Sequence, residues 1–280
     1  LNYPWLSRKR EIARRRNIIN RPLTYNYIQV RLFKGLIAHL VFGRSNTPAA
    51  MLNESGYPRL FSYLITSCST PVIDCDYNLH KSNSSFFSDA DINRTQLMCS
   101  LFKHVLSQSS LIDQPKRRKN PLLMALGGTS CIFKREIKPL QKFEIWSRVL
   151  SWDDKWVYVV SYFVSVNKSM GKQIPSAKKE KPDDSPPNSR VLASCIARYV
   201  FKDRRVTVRP ESILQECGLL PHSDLKEAKE DHSGTQWSGA KFDKERLKGL
   251  QIASRFTELE ALPTMFDSSD ETVLGSYIDL

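Results

Sequence analysis

A chain of 280 residues, 41% apolar and 25% charged, has room for one well-filled domain of about 150–200 residues plus extensions. No apolar run approaches the ~20 residues that a membrane-spanning helix needs; the nearest, Gly35–Gly43, contains His39. The net charge of +13 is gathered in clusters that suit anionic lipid, nucleic acid or cofactor phosphates, or that simply solvate a surface.

Residues 1–60 read as a basic N-terminal extension. Six of the nine residues Arg8–Arg16 are basic, and they mark a candidate membrane-surface contact. Tyr25–Phe42 follows with Ile28, Leu32, Leu36 and Leu40 at helical spacing, the pattern of an amphipathic helix. From 61 to 220 the pattern changes to that of a single domain. A short apolar, β-prone run ends near Asp74, and a helix is expected over Ser85–Leu106. Its stripe is Phe86, Ala90, Leu97, Leu101 and Val105, flanked by Phe87, Met98 and Phe102, which is wide enough for a helix enclosed by sheet. Ser84 or Asn83 is the expected N-cap, with Asp89 and Asp91 complementing the dipole in the first turns.

Four β-rich runs come next. Leu122–Ile137 has Gly127-Gly128 as a bulge or point of close approach. Phe143–Leu150 and Trp156–Val166 flank a polar turn, Ser151–Lys155, and Val191–Phe201 closes the set. Asn167–Ser189 holds four prolines and alternating lysine and aspartate, so it reads as a disordered insertion. Residues 221–280 form a polar C-terminal extension with one helical stretch near Ala240–Leu262. Five strands grouped after a single internal helix indicate an α+β fold and not alternating α/β. The six cysteines show no CxxC pair or zinc spacing; Cys75, Cys99, Cys131 and Cys195 sit among apolar neighbours and read as reduced cysteines of an intracellular protein.

Chemistry concentrates between the first strand and the helix, where Asp76, Asn78, His80 and Asn83 fall within eight residues. A turn before a helix N-terminus offers unpaired N–H groups and a dipole that favours developing negative charge. Each residue also has a plainer role open to it. Asp76 suits an Asx turn, Asn78 and Asn83 suit loop-tying, and His80 suits an ordinary hydrogen-bonded turn histidine. Other chemistries lack their signatures: there is no G-x-S-x-G elbow, P-loop, G-x-G-x-x-G or H-E-x-x-H.

Asp-x-Asn-x-His-x-x-Asn ahead of a long helix, the run Ser147–Trp156 containing Trp-Asp-Asp-Lys-Trp, and Ala193–Phe201 together resemble the hotdog-fold thioesterases related to 4-hydroxybenzoyl-CoA thioesterase. They are most similar to the eukaryotic branch around thioesterase superfamily member six and to fungal thioesterases of the leucinostatin-cluster type. The chain departs from that pattern at Ser82 and Phe86, where relatives often carry Asn and Tyr. The resemblance implies an antiparallel sheet wrapped around one long helix, a homodimer with the acyl tunnel at the subunit interface, and no cofactor or metal. It implies hydrolysis of an acyl-CoA or acyl-carrier-protein thioester, in fungal lipid or polyketide metabolism. Asp76 matches the catalytic carboxylate, with His80 and Asn83 beside it. Asn78, Ser84, Phe86 and Phe87 are the candidate substrate contacts, and helix N–H groups near Ser84–Phe87 would hold the carbonyl oxygen. Lys116, Arg117, Arg118 and Lys119 are candidates for the coenzyme A phosphates. The rival reading is a non-catalytic acyl-binding protein recruited to membranes through Arg8–Arg16; no nucleic acid is expected. The location implied is cytoplasmic or membrane-associated, and since the chain does not begin with Met, an upstream anchor is left open.

Overall fold

Leu64–Ser69 alternates half-buried and exposed side chains and forms strand β1 of the computed structural model, which describes residues 51–53, 56–106, 121–166, 190–221 and 237–266. The Tyr25–Phe42 helix, the Arg8–Arg16 cluster, the Lys116–Lys119 quartet and the Asn167–Ser189 insertion lie outside the described residues.

Next in the chain are helix α1 (Asn83–Leu106), β2 (Leu123–Phe133), β3 (Lys142–Trp152), β4 (Val157–Ser165), β5 (Val191–Asp203) and β6 (Val206–Val208). Helices α2 (Pro210–Glu216) and α3 (Gly239–Thr257) follow. All strand pairs are antiparallel, in the order β1-β3-β4-β5-β2, with β6 added to the end of β5. The sheet curls around α1, which is the α+β hotdog arrangement. The predicted stripe is the buried face of α1: Phe86, Ala90, Leu97, Leu101 and Val105 all lie in the core with Met98 and Phe102. Apolar side chains wrap that face on several sides, so the helix needs no strong propensity of its own.

Both faces of the central strands are covered. Val149, Val157 and Val159 share the core cluster of α1, whereas Leu150, Tyr158 and Val160 pack under α3 with Ala253, Leu250 and Phe256. The α3 contacts recur along one helical face, at Phe242, Gly249, Ala253 and Phe256. Gly249 is required there, since a Cβ would sit 2.2 Å from the Leu150 carbonyl oxygen.

Four elements differ from expectation, one being the seven-residue helix α2, for which no helical pattern is expected. The first strand ends at Ser69, and Val72–Asp74 forms a 3-10 turn with Val72 and Ile73 exposed. Pro71, which has no N–H for the ladder, separates the two. β6 was not foreseen: three residues after a tight turn at Arg204 (φ 54°) are too few for a period-2 pattern. Asn83 and Ser84, the expected caps, are already inside α1. The Gly127-Gly128 step is both things expected of it. The β2–β5 register shifts there, and a Cβ on Gly127 would meet the Trp156 ring at 2.1 Å.

Candidate active site

The Asp76 loop is a closed hairpin. Cys75 and Lys81 form an antiparallel bridge, and the Asp76 N–H donates to the His80 carbonyl at 2.9 Å. The Leu79 N–H returns to the Asp76 carbonyl at 3.0 Å, with Leu79 held at φ 59°. Inside this turn one carboxylate oxygen of Asp76, Oδ1, accepts from the Asn78 N–H (2.9 Å) and the His80 N–H (3.4 Å). This is an Asx turn, so the plain role suggested for Asp76 is realised. It occupies only one oxygen. Oδ2 has no hydrogen-bond partner among the described residues.

The loop runs directly into α1. The Ser82 N–H donates to the Asp74 carbonyl (2.8 Å), and Ser85 Oγ donates to the Asp74 and Ser82 carbonyls. The Ser85 N–H donates to the Ser82 carbonyl at 3.0 Å, closing the first turn. Asn83 and Ser84 lie in that turn with exposed side chains, where backbone N–H groups have no intrahelical acceptor.

The other expected residues take varied places. Asn78 is exposed at the loop tip and contributes its N–H to the Asx turn. The side chain of His80 is about one-third exposed, and Nε2 lies 2.9 Å from Glu136 Oε2, from the β2–β3 connection. Ser84 Oγ lies 3.2 Å from Ser82 Oγ. Phe87 is half-buried. Phe86 is buried, edge-on to Phe133 at 5.0 Å and tilted on Phe163 at 4.9 Å, so its ring belongs to the core beneath the loop. The four basic residues Lys116–Lys119 lie outside the described residues.

Three charged residues with no sequence-based expectation, Lys81, Glu136 and Arg94, form ion pairs in this part of the fold. Lys81 is buried and pairs with Asp89 at 2.7 Å. Glu136 holds His80. Arg94, also buried, donates to Asp91 Oδ1 (2.5 Å) and Thr129 Oγ1 (3.2 Å). Asp89, expected from sequence only to complement the helix dipole, is the counter-charge of Lys81. The available signal was charge inside an apolar stripe: Asp89 and Arg94 interrupt the enclosed part of α1, and charges so placed need partners.

Neither Cys75, beside Asp76, nor Cys195 is poised as a thiolate nucleophile. Burial chiefly pushes the Cys75 thiol up, with Asp74 and Asp76 adding to it against Lys81. Cys195 is raised by its hydrogen bond to Cys131 first and by burial second; the sulfurs are 2.7 Å apart across β5 and β2. That same bond lowers the Cys131 thiol, helped by Arg94 and opposed by burial. All six cysteines are free; Cys68, Cys75 and Cys131 are only half-buried. Among the described residues no cluster of His, Cys, Asp or Glu is arranged to hold a metal, and no helix is long and apolar enough to cross a membrane.

The sequence is similar to that of known proteins. A family model described as the thioesterase-like superfamily matches residues 71–216. The probable thioesterase atnL of Emericella nidulans is 53% identical over 262 residues, covering 89% of this chain and 85% of the relative. Thioesterase poxG of Penicillium oxalicum is 38% identical over 273 residues, covering 93% and 87%. Among solved structures, the DHNA-CoA thioesterase from Staphylococcus aureus superposes with a TM-score of 0.37 at 8% identity, covering 55% of this chain and 85% of that one.

Proposed function

The chain belongs to the thioesterase-like superfamily, and from that premise we propose that this thioester hydrolase cleaves an acyl-CoA or acyl-carrier-protein thioester, with Asp76 as its catalytic carboxylate. The observation that carries the assignment is the half-used carboxylate. Oδ1 is tied down by two backbone N–H groups, which fixes the plane of the group, while Oδ2 remains available to a water or a thioester carbonyl.

In the proposed reaction Asp76 takes a proton from water as the oxygen attacks the thioester carbon. General-base assistance of this kind is worth ~10²–10⁴ in rate. Negative charge then develops on the carbonyl oxygen, which the first-turn N–H groups of α1 are placed to receive; one such preorganised donor is worth about 2.7–4 kcal/mol of activation free energy. Collapse of the tetrahedral intermediate breaks the C–S bond. The acid and the thiol leave, and the thiol carries the proton. Asp76 acting instead as the nucleophile would give an acyl-enzyme anhydride that water then opens. His80, held by Glu136, and Asn83 are proposed as neighbours that orient the water or the carbonyl. Asn78, Ser84 and Phe87 are proposed to contact the substrate near the thioester, and Lys116–Lys119 the phosphates of coenzyme A.

The proposed assembly is a homodimer through β2. That strand is an eleven-residue edge with Leu123, Leu126, Ile132 and Phe133 exposed, a row of backbone groups and apolar side chains that a second copy would cover. The proposed role is the release or trimming of a lipid or polyketide acyl chain; the fungal relatives, named thioesterases, support the hydrolase part of it.

The test is a panel of acyl-CoA substrates assayed with the wild-type protein and Asp76→Asn. Turnover is expected to fall by at least ~10² in a variant that melts like the wild type. Undiminished hydrolysis by Asp76→Asn removes the assignment. Acyl ligand binding by a wild-type protein that never turns over favours a non-catalytic acyl-binding role.

A further inference from the structure

Lys81 stands between His80 and Asn83, yet the reaction above gives it no task. Its side chain is completely buried, as is nearly all of Asp89, whose Oδ2 lies 2.7 Å from the ammonium. Asp74 adds a second carboxylate at 4.0 Å. The rings of Phe86 and Phe143 flank the ammonium at 5.6 and 5.5 Å, a dry surrounding in which the charge interacts with the ring faces. Lys81 takes this place because it sits in the bridge with Cys75, where successive side chains alternate in direction. His80 consequently turns outward to Glu136 while Lys81 turns inward.

We infer that Lys81 and Asp89 form a latch that positions the Asp76 loop against α1, making both of them positioning residues for thioester hydrolysis; the catalytic part of this inference rests on the function proposed above. Hydrogen bonds from Ser82 and Ser85 join the loop to the start of the helix and the Lys81 N–H donates to the Ile137 carbonyl at 2.8 Å, but none of these bonds reaches α1 beyond its first turn. Lys81 adds a buried ion pair further along, reaching Asp89 about 9 Å along the helix axis from Asn83. Stability alone does not account for the pair, because two apolar side chains of similar volume in such a place are often neutral or stabilising. Apolar packing pairs no single atom of the loop with a single atom of the helix, as this ion pair does, and the Asp76–oxyanion geometry depends on where the loop is seated. A misplacement of roughly 1 Å in such a site can cost about 10²-fold in rate.

The experiment pairs Lys81→Met with Asp89→Leu in one variant, read by thermal melting, acyl-CoA kinetics and hydrogen exchange over residues 75–85. The expected result is a melting temperature near that of the wild type, faster exchange across 76–82, and a kcat lowered by about 10–10²-fold with KM changed by less than about threefold. A double variant that melts normally, exchanges like the wild type across 76–82 and keeps its kcat overturns the latch. If the double variant does not fold, Asp89→Glu carries the test: it keeps the charges but displaces the ammonium by one methylene. Faster loop exchange and lower kcat are expected of it, and wild-type values for both overturn the inference. Failure of the hydrolase reading is separable, because a wild-type protein without turnover defeats that reading while the exchange measurement still judges the latch.

Discussion

Gly249→Ala measures how closely α3 is seated on the sheet, and two opposed effects set its sign. In a helix interior, alanine is favoured over glycine by about 0.8–1 kcal/mol. Here the added Cβ would lie 2.2 Å from the Leu150 carbonyl oxygen, 3.0 Å from its carbon and 3.1 Å from Ser151 Cβ. Backbone atoms cannot swing aside, so α3 must withdraw by roughly 1 Å, and overpacking of this kind costs ~1–3 kcal/mol. Withdrawal also stretches the bond from Ser151 Oγ to the Arg246 carbonyl (2.8 Å) and the Arg148–Glu245 ion pair (3.1 Å). A typical net hydrogen bond contributes about 1 kcal/mol, so partial loss of these adds to the deficit. The net expectation is a destabilisation of about 1–3 kcal/mol, or a melting temperature lower by roughly 2–12 °C for a domain of this size. Scanning calorimetry and urea titration of both proteins are the assay. A variant that melts 2–4 °C higher, as helix propensity alone requires, refutes the close-approach argument.

Ser147 Oγ and Ser161 Oγ are buried 2.6 Å apart across β3 and β4. Either Ser→Ala change alone leaves an unsatisfied hydroxyl and is expected to cost about 1–3 kcal/mol, whereas the double change should be close to neutral; additive losses in a double-mutant cycle would contradict this. At alkaline pH, Tyr158 and Tyr199 are both pushed up to about 12, chiefly by burial, with Asp153 adding to the rise of the first and Arg94 opposing that of the second. Because the folded-state value lies above the unfolded one near 10, the stability held by the neutral phenols is fully present below pH 10 and is lost as pH rises from 10 toward 12. Tyr199→Phe should flatten the fall in melting temperature over that window, and an unchanged slope counts against the burial argument.

Much of this was readable from residue order, and for local reasons. The stripe Phe86–Val105 identifies a helix enclosed by sheet because an apolar face that wide has no other way to leave water. Gly127-Gly128 marks a close approach, and Trp156 occupies the space where side chains would be. Asp76 before a helix start points to acyl chemistry through the residues themselves and their resemblance to a family. The first strand was placed too late because Val72 and Ile73 are β-prone, yet Pro71 and the exposure of both side chains put them in a 3-10 turn. α3 was visible as a helix, but not what it covers. Phe242, Gly249 and Ala253 form an ordinary apolar face until Leu150 and Tyr158 are known to point away from α1.

Partners of charge were the least legible. The rings of Phe86 and Phe143 flank Lys81, and Phe143 lies some sixty positions along the chain; Glu136 reaches His80 from the β2–β3 connection, more than fifty positions away. Periodicity and turn chemistry act over a few residues, so sequence alone determined the two long helices, the long strands with their antiparallel grouping and the carboxylate before the helix. Which face of the central strands met which helix, how one oxygen of Asp76 was tied and the other left, and where Lys81 found its counter-charge were decided by tertiary structure. The reason is physical: the desolvation of a buried charge and the direction of a hydrogen bond depend on atoms that only folding brings within a few ångströms.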